Sequence, residues 1–220
     1  MNLLQQWEAL DHQAQEAVRS FQKRGREVRA LLMQVSDRIE SGHWHTAGWN
    51  VFEILGRVRL EDAHSDALAW LFKPWEAHGL GDRFLQDFVH LGTGESLANS
   101  RVREVQTRKT VGVGRRKIDI EVQGDGWVLA VENKIDHSET PGQTEYYAAH
   151  YRRLRNAGTT VFGVFLTPTG EAAKSEFFQP MSYRTLRTIL DQNQPRTPSD
   201  AAQLVRWFAD HIRGDLEVDL

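Results

Sequence analysis

The sequence predicts an α/β fold, a mixed central β-sheet flanked by helices, with a helical extension at the N-terminus. Three observations carry this. Apolar residues recur at three- and four-residue spacing through the first 40 positions, the period of an amphipathic helix. Three β-prone segments then follow one another between about 101 and 134, two of them joined by a Gly124-Asp125-Gly126 turn. A helical segment and another β-prone run at 159–167 come after them. A hairpin meander continued through a helix to a further strand gives a mixed sheet with helices on its faces.

The elements follow in order. Leu3, Leu4, Trp7, Leu10, Ala14, Ala17, Val18, Phe21, Val28, Leu31, Leu32, Val35 and Ile39 predict helix over about 3–40, with Gly25 as a break point. Residues 41–50 read as a loop rich in Gly, His and Trp. Its His43-Trp44-His45 is one x-separated histidine pair, a weak metal signal. Residues 51–58 are a short apolar segment compatible with helix or strand. Residues 59–72 predict a helix stopped by Pro74. A second amphipathic helix covers about 81–91, and 92–100 is a polar turn region. Strands are expected at 101–112, 116–123 and 126–134. Pro141 opens a helix over 142–156 that Gly158 stops. The run 159–167, bounded by Pro168, is the fourth strand, and a longer loop holds Glu171 to Pro180. Residues 182–190 begin as a short strand and become a helix. Ser199 caps a last helix reaching about 213. Residues 1–45 are thus a helical extension, and 46–220 one α/β domain.

Composition excludes several classes. The 220 residues, 40% hydrophobic and 26% charged, suit one sizeable soluble domain plus the extension. The chain has no cysteine, which rules out disulfides and thiolate metal sites and suits a cytoplasmic protein. No signal peptide is read at the N-terminus, and no stretch approaches the roughly 18 apolar residues of a membrane span. A net charge of −3 gives no global basic field. The basic residues are nevertheless clustered: Arg101, Arg103, Arg108, Lys109, Arg115, Arg116 and Lys117 are opposed only by Glu104, and Arg152, Arg153 and Arg155 form a second knot. Such runs are either solvated faces or phosphate-contacting surfaces.

The chemistry-bearing residues concentrate in the second hairpin. Asp119 stands between Ile118 and Ile120, and the next apolar run ends in Glu132, Asn133 and Lys134. Strand alternation points Glu132 and Lys134 one way and Asn133 the other, and places Glu121 on the face of Asp119. Carboxylates at the end of buried strands are costly unless they hold a metal, do chemistry or form a buried ion pair with the lysine. Upstream, Glu61, His64 and Ser65 fall at i, i+3 and i+4 and share one helix face, where His64 or Ser65 can also simply bond a neighbouring backbone group. Downstream, Gln143 and Tyr147 share another helix face.

Asp119, twelve intervening residues and Glu132-x-Lys134, with Ile118 where the eponymous proline would stand, resemble the core motif of the PD-(D/E)XK nuclease superfamily. Glu61-x-x-His64-Ser65-x-x-Leu68 resembles the N-terminal signature of a bacterial branch of poorly defined role. Gln143-x-x-x-Tyr147 resembles an element of several other branches. The resemblance spans about residues 50–190 and implies a restriction-endonuclease-like core. It implies a Mg²⁺-dependent phosphodiesterase, endo- or exonuclease, with Mn²⁺ as substitute. Its substrate would be nucleic acid, DNA more than RNA, in defence against phage and mobile elements or in repair. Asp119, Glu132 and Glu61 would be acids of the metal site, with the Asn133 carbonyl as a further oxygen and Lys134 as the catalytic cation. Arg115, Arg116, Lys117, His64, Gln143 and Tyr147 would meet substrate. A homodimer would suit double-strand cleavage. The competing reading is a catalytically silent relative that binds nucleic acid or protein, but such a chain would have lost an acid or the lysine.

Overall fold

The computed structural model describes residues 51–216 apart from 98, 100, 113, 137 and 197, together with 15, 25, 28–30, 32 and 33. The chain divides into two units, 1–49 and 50–220. In the first, the described residues are helical. The rest of the expected extension, including His43-Trp44-His45, lies outside the described residues.

Alternation of apolar and polar residues organises the second unit around a five-stranded sheet of order β1-β2-β3-β4-β5. The strands are β1 Val102–Thr110, β2 Lys117–Gly124, β3 Trp127–Asn133, β4 Thr160–Thr167 and β5 Gln179–Ser182. The first three pair antiparallel, and β4 and β5 are added in parallel, so the sheet is mixed as expected. Every residue of β3 is buried, as suits a central strand covered on both faces. At the turn between β2 and β3 the Trp127 indole lies over Gly124, where an added Cβ would stand 1.9 Å from a ring carbon, so glycine is required there.

The helices are α1 Val51–Ile54, α2 Glu61–Leu71, α3 Arg83–Thr93, α4 Gln143–Asn156, α5 Tyr183–Gln192 and α6 Asp200–His211. They sort onto two faces according to which β3 residues they cover. Trp127, Leu129 and Val131 join a large core with residues of α2, α3, α5 and α6. Val128 and Ala130 join a smaller aromatic core with Tyr147 and Tyr151 of α4. Two helix starts carry the expected serine caps: Ser182 Oγ accepts from the Thr185 N–H and Ser199 Oγ from the Ala202 N–H.

Most element boundaries move by a residue or two. The segment 51–58 resolves as one helical turn, α1, followed by turns. The short strand expected to begin at 182 instead occupies Gln179–Ser182, and α5 starts directly after it. The last helix gives way at Ile212 to a π-helical turn, Ile212–Leu216.

Candidate active site

The apolar run of β3 delivers three polar residues to one end of the sheet. Glu132, next in the Val128–Ala130 alternation, is fully buried beside α4. Its Oε1 accepts from Lys134 Nζ at 2.9 Å and from Gln143 Nε2 at 2.5 Å. Its Oε2 has no hydrogen-bond partner among the described residues. Lys134 Nζ also lies 3.6 Å from Glu61 Oε2, and Glu61 Oε1 accepts from the Ile135 N–H at 3.0 Å. On β2, Asp119 Oδ2 accepts from the Asn133 N–H at 2.7 Å. The two acids, the lysine and the upstream glutamate therefore converge, from three places in the sequence.

Asn133 is the hub of this arrangement. Its side chain turns away from Glu132, as alternation requires, into the core between α2 and α5. There Nδ2 donates to Ser65 Oγ at 3.2 Å and to the Glu61 carbonyl at 3.3 Å, while Oδ1 accepts from the Tyr183 hydroxyl at 2.8 Å. One residue thus ties the Asp119 carboxylate through its backbone, and the helix turn bearing Glu61 through its amide. Ser65 meets the Asn133 side chain rather than a backbone group, and of the two residues on that helix face it is His64 that bonds a backbone carbonyl, that of Val58. Tyr183 carries no signature in the sequence, because it is recruited from a segment fifty residues away.

Electrostatically the cluster lacks positive charge. Three carboxylates and one ammonium sum to −2 when all are ionised. Burial, with the Asp119 charge second, pushes the Glu132 carboxyl up to about 8 despite Lys134. Burial likewise pushes Asp119 up to about 6, against the stabilising Asn133 N–H. Burial opposes the Lys134 ammonium, but Glu132, Asp119 and Glu61 overcome it and raise its pKa.

Other expected site residues fall differently. Gln143 reaches the site but bonds Glu132, not Lys134. Tyr147 is buried and its hydroxyl donates to the Lys117 carbonyl at 2.5 Å, so it anchors β2 rather than meeting a phosphate. Glu121 is a buried partner of Tyr151 and Lys109, not a further acid of the cluster. The basic run separates into two parts. Arg101 and Arg103 pair with Asp125, Arg108 with Asp66 and Asp62, and Lys109 with Glu121. Arg115, Arg116 and Lys117 are exposed at the β1–β2 turn, with no carboxylate in ion-pair range among the described residues. Arg116 stacks over the Tyr146 ring and donates to the Pro141 carbonyl, and the Tyr146 hydroxyl bonds the Gly114 N–H and the Val111 carbonyl. Tyr146 therefore pins the basic turn beside α4, a role that sequence spacing did not reveal.

His64 is a correction. It is fully buried rather than facing substrate. Its ring stacks on Phe52, and its Nε2 and that of His211 both lie 2.9 Å from the Val58 carbonyl, 3.4 Å from each other. Two ring N–H groups can share the one carbonyl, and a charge on His64 would be buried beside the His211 ring. Burial, followed by the His211 neighbour, lowers the His64 pKa to about 4. A folded pKa below the ordinary 6.5 means this contribution is complete above pH 6.5 and is lost as pH falls toward 4. The loss should total at most about 3 kcal/mol. Urea unfolding at successive pH values should show it, and the His64→Phe protein should lack that part of the slope.

The donor set fits a divalent cation. Asp119 and Glu132 offer hard oxygens, Glu132 Oε2 is buried without a partner, and the net charge is that of a missing dication. No three His, Cys, Asp or Glu side chains among the described residues form a metal cage on their own, and the Lys134 ammonium stands against two of the acids. Such a two-carboxylate site leaves the remaining positions to water and substrate, as Mg²⁺ sites do.

A family model described as the PD-(D/E)XK nuclease superfamily matches residues 49–218, which takes in Glu61, the β2–β3 hairpin and α4. Neither a curated protein nor a solved structure matches the chain. The five-stranded mixed sheet with helices on both faces is the restriction-endonuclease-like arrangement, and the match extends over most of the chain. The chain belongs to the PD-(D/E)XK nuclease superfamily.

Proposed function

We propose that this protein is a metal-dependent nuclease that hydrolyses phosphodiester bonds, in DNA more readily than in RNA, using Mg²⁺ with Mn²⁺ as substitute. One observation carries the reading: Lys134 Nζ sits between Glu132 and Glu61 beside a buried carboxylate oxygen that has no partner. A bound ion would relieve charge on the scissile phosphate and lower the pKa of an attacking water. Asp119 and Glu132 would hold it, with the Asn133 carbonyl and Glu61 as further oxygens. Lys134 orients the attacking water and offsets the negative charge that grows on the phosphate, a task suited to a compact ammonium. Gln143 fixes the Glu132 oxygen that Lys134 also touches, leaving the other oxygen for the ion.

Substrate binding falls to Arg115, Arg116 and Lys117, the part of the basic run that no acid among the described residues neutralises. Cleavage of foreign or damaged DNA in the cytoplasm, in defence or repair, is the setting this reading suits. No described helix is long and apolar enough to cross a membrane.

The test is a cleavage assay on duplex DNA, single-stranded DNA and RNA, with Mg²⁺, Mn²⁺ or EDTA. The expected result is cleavage of DNA with either ion, none with EDTA, and none by the Lys134→Ala protein. Full activity in EDTA, or in Lys134→Ala, would overturn the proposal. A companion measurement concerns the basic turn. Replacing Arg115, Arg116 and Lys117 together by alanine should weaken DNA binding evenly across sequences. The slope of log affinity against log salt should fall by about 3.

A further inference from the structure

Arg108 is the one described non-glycine residue with a positive φ, at 52°. A side-chain-bearing residue avoids this left-handed region unless its surroundings hold it there, and such residues cluster at functional sites. Its position makes the conformation meaningful. In the β1–β2 register Thr107 opposes Ile120 and Lys109 opposes Ile118, which puts Arg108 across from Asp119, yet these two form no ladder pair.

The faces of the strand change at the same point. Ile120 packs into the core shared with α2, α3, α5 and α6, whereas Ile118 packs into the core of α4. Residues two apart in a regular strand share one face. Asp119 and Glu121 separate in the same way. Glu121 bonds Tyr151 of α4, while Asp119 bonds the Asn133 N–H and lies within the field of Glu61 and Asp62 of α2. Arg108 is also joined to α2, with Nη2 2.8 Å from Asp66 Oδ1 and Nη1 3.7 Å from Asp62 Oδ1.

We propose that the left-handed turn at Arg108, locked to α2 through Asp66 and Asp62, is a positioning device that turns Asp119 off the face it would share with Glu121 and toward the end of β3, where its carboxylate accepts from the Asn133 N–H. Irregularities in a ladder commonly re-aim a side chain at a site. This one also joins β1 to the helix whose first residue is Glu61. The inference rests on the metal-site reading of Asp119 and Glu132, and adds that the backbone at position 108, more than its charge, sets that site.

The test is Mn²⁺ affinity, read by electron paramagnetic resonance of free Mn²⁺, in the full-length protein and in Arg108→Gly, Arg108→Ala and Arg108→Val. All three lose the guanidinium, but they tolerate a positive φ in the order Gly, Ala, Val. Arg108→Gly should bind Mn²⁺ within about 3-fold of the parent, Arg108→Val at least 10-fold more weakly, and Arg108→Ala in between. Cleavage turnover should fall in the same order, with KM for DNA unchanged. Should Arg108→Val fail to fold, the Gly and Ala proteins still decide. Equal loss in Gly and Ala would overturn the positioning role, as would unchanged affinity in both. Asp119→Ala separates this from the underlying reading. If that protein binds Mn²⁺ as the parent does, the metal site itself is misassigned; if it loses Mn²⁺ while the 108 series is flat, only the inference about Arg108 fails.

Discussion

Replacing Glu132 by glutamine should produce a protein that folds more stably than the parent and no longer cuts. The activity loss should be on the order of 10³-fold or more, the scale of removing a principal charged group from an active site. Glutamine keeps the shape of the side chain and an acceptor for Lys134 and Gln143, so the fold has no reason to change. What it removes is a fully buried negative charge. Because burial and Asp119 hold the Glu132 carboxyl near 8, against 4.5 when solvated, the metal-free protein bears a penalty for ionising it. Below pH 4.5 the group is protonated whether the chain is folded or not, and the variant gains nothing. The penalty grows as pH rises from 4.5 to 8 and is constant beyond. Metal-free Glu132→Gln should therefore match the parent at pH 4 and exceed it by about 1–3 kcal/mol at pH 8. Denaturant unfolding in EDTA at both pH values, beside a Mg²⁺ cleavage assay, checks the pair of outcomes. A variant that loses both stability and activity would mean that Glu132 is a structural ion-pair partner and not a group kept for function at the expense of stability.

The parts of this site visible in the sequence were those with a local period. Apolar alternation ending in Glu132-Asn133-Lys134 placed β3 and the opposite directions of Glu132 and Asn133 correctly, because a central strand buried on both faces leaves little freedom of register. Gln143 and Tyr147 were placed on one helix face for the same reason. What alternation could not supply was its own interruption. Asp119 and Glu121 read as sharing a face, and they do not, because the turn at Arg108 lies on another strand and depends on acids of α2. His64 was misplaced by a related limit. Helical spacing assigns it a face with Glu61, but its burial is decided by Phe52 and His211, the latter 147 residues away. The basic run also lost most of its apparent charge to partners distant in sequence, such as Asp66 for Arg108 and Asp125 for Arg103. Long-range pairing is set by topology, and a one-dimensional pattern contains it only indirectly.

Asn133→Asp should be the most damaging single isosteric change in the fold. The asparagine is completely buried and uses both ends of its amide, donating to Ser65 and the Glu61 carbonyl and accepting from Tyr183. Aspartate keeps the acceptor for Tyr183, and Ser65 can rotate its hydroxyl to donate. The Glu61 carbonyl cannot adapt, and an oxygen would face it in place of an N–H. The new charge would also be buried in a cluster that is already net negative. Breaking a buried polar network in this way costs about 3–5 kcal/mol near neutral pH. The penalty should shrink as pH is lowered, because a protonated aspartyl group regains a donor for the Glu61 carbonyl. That pH dependence distinguishes loss of the hub from a general packing defect, which would be indifferent to protons. Tyr183→Phe, which removes only one donor to the same amide, should cost roughly 1–2 kcal/mol with no such recovery. Urea midpoints for both proteins between pH 5 and pH 8 decide it. If Asn133→Asp is as stable as the parent at neutral pH, Asn133 does not hold α2 to β3, and the placement of Glu61 beside Lys134 must have another cause.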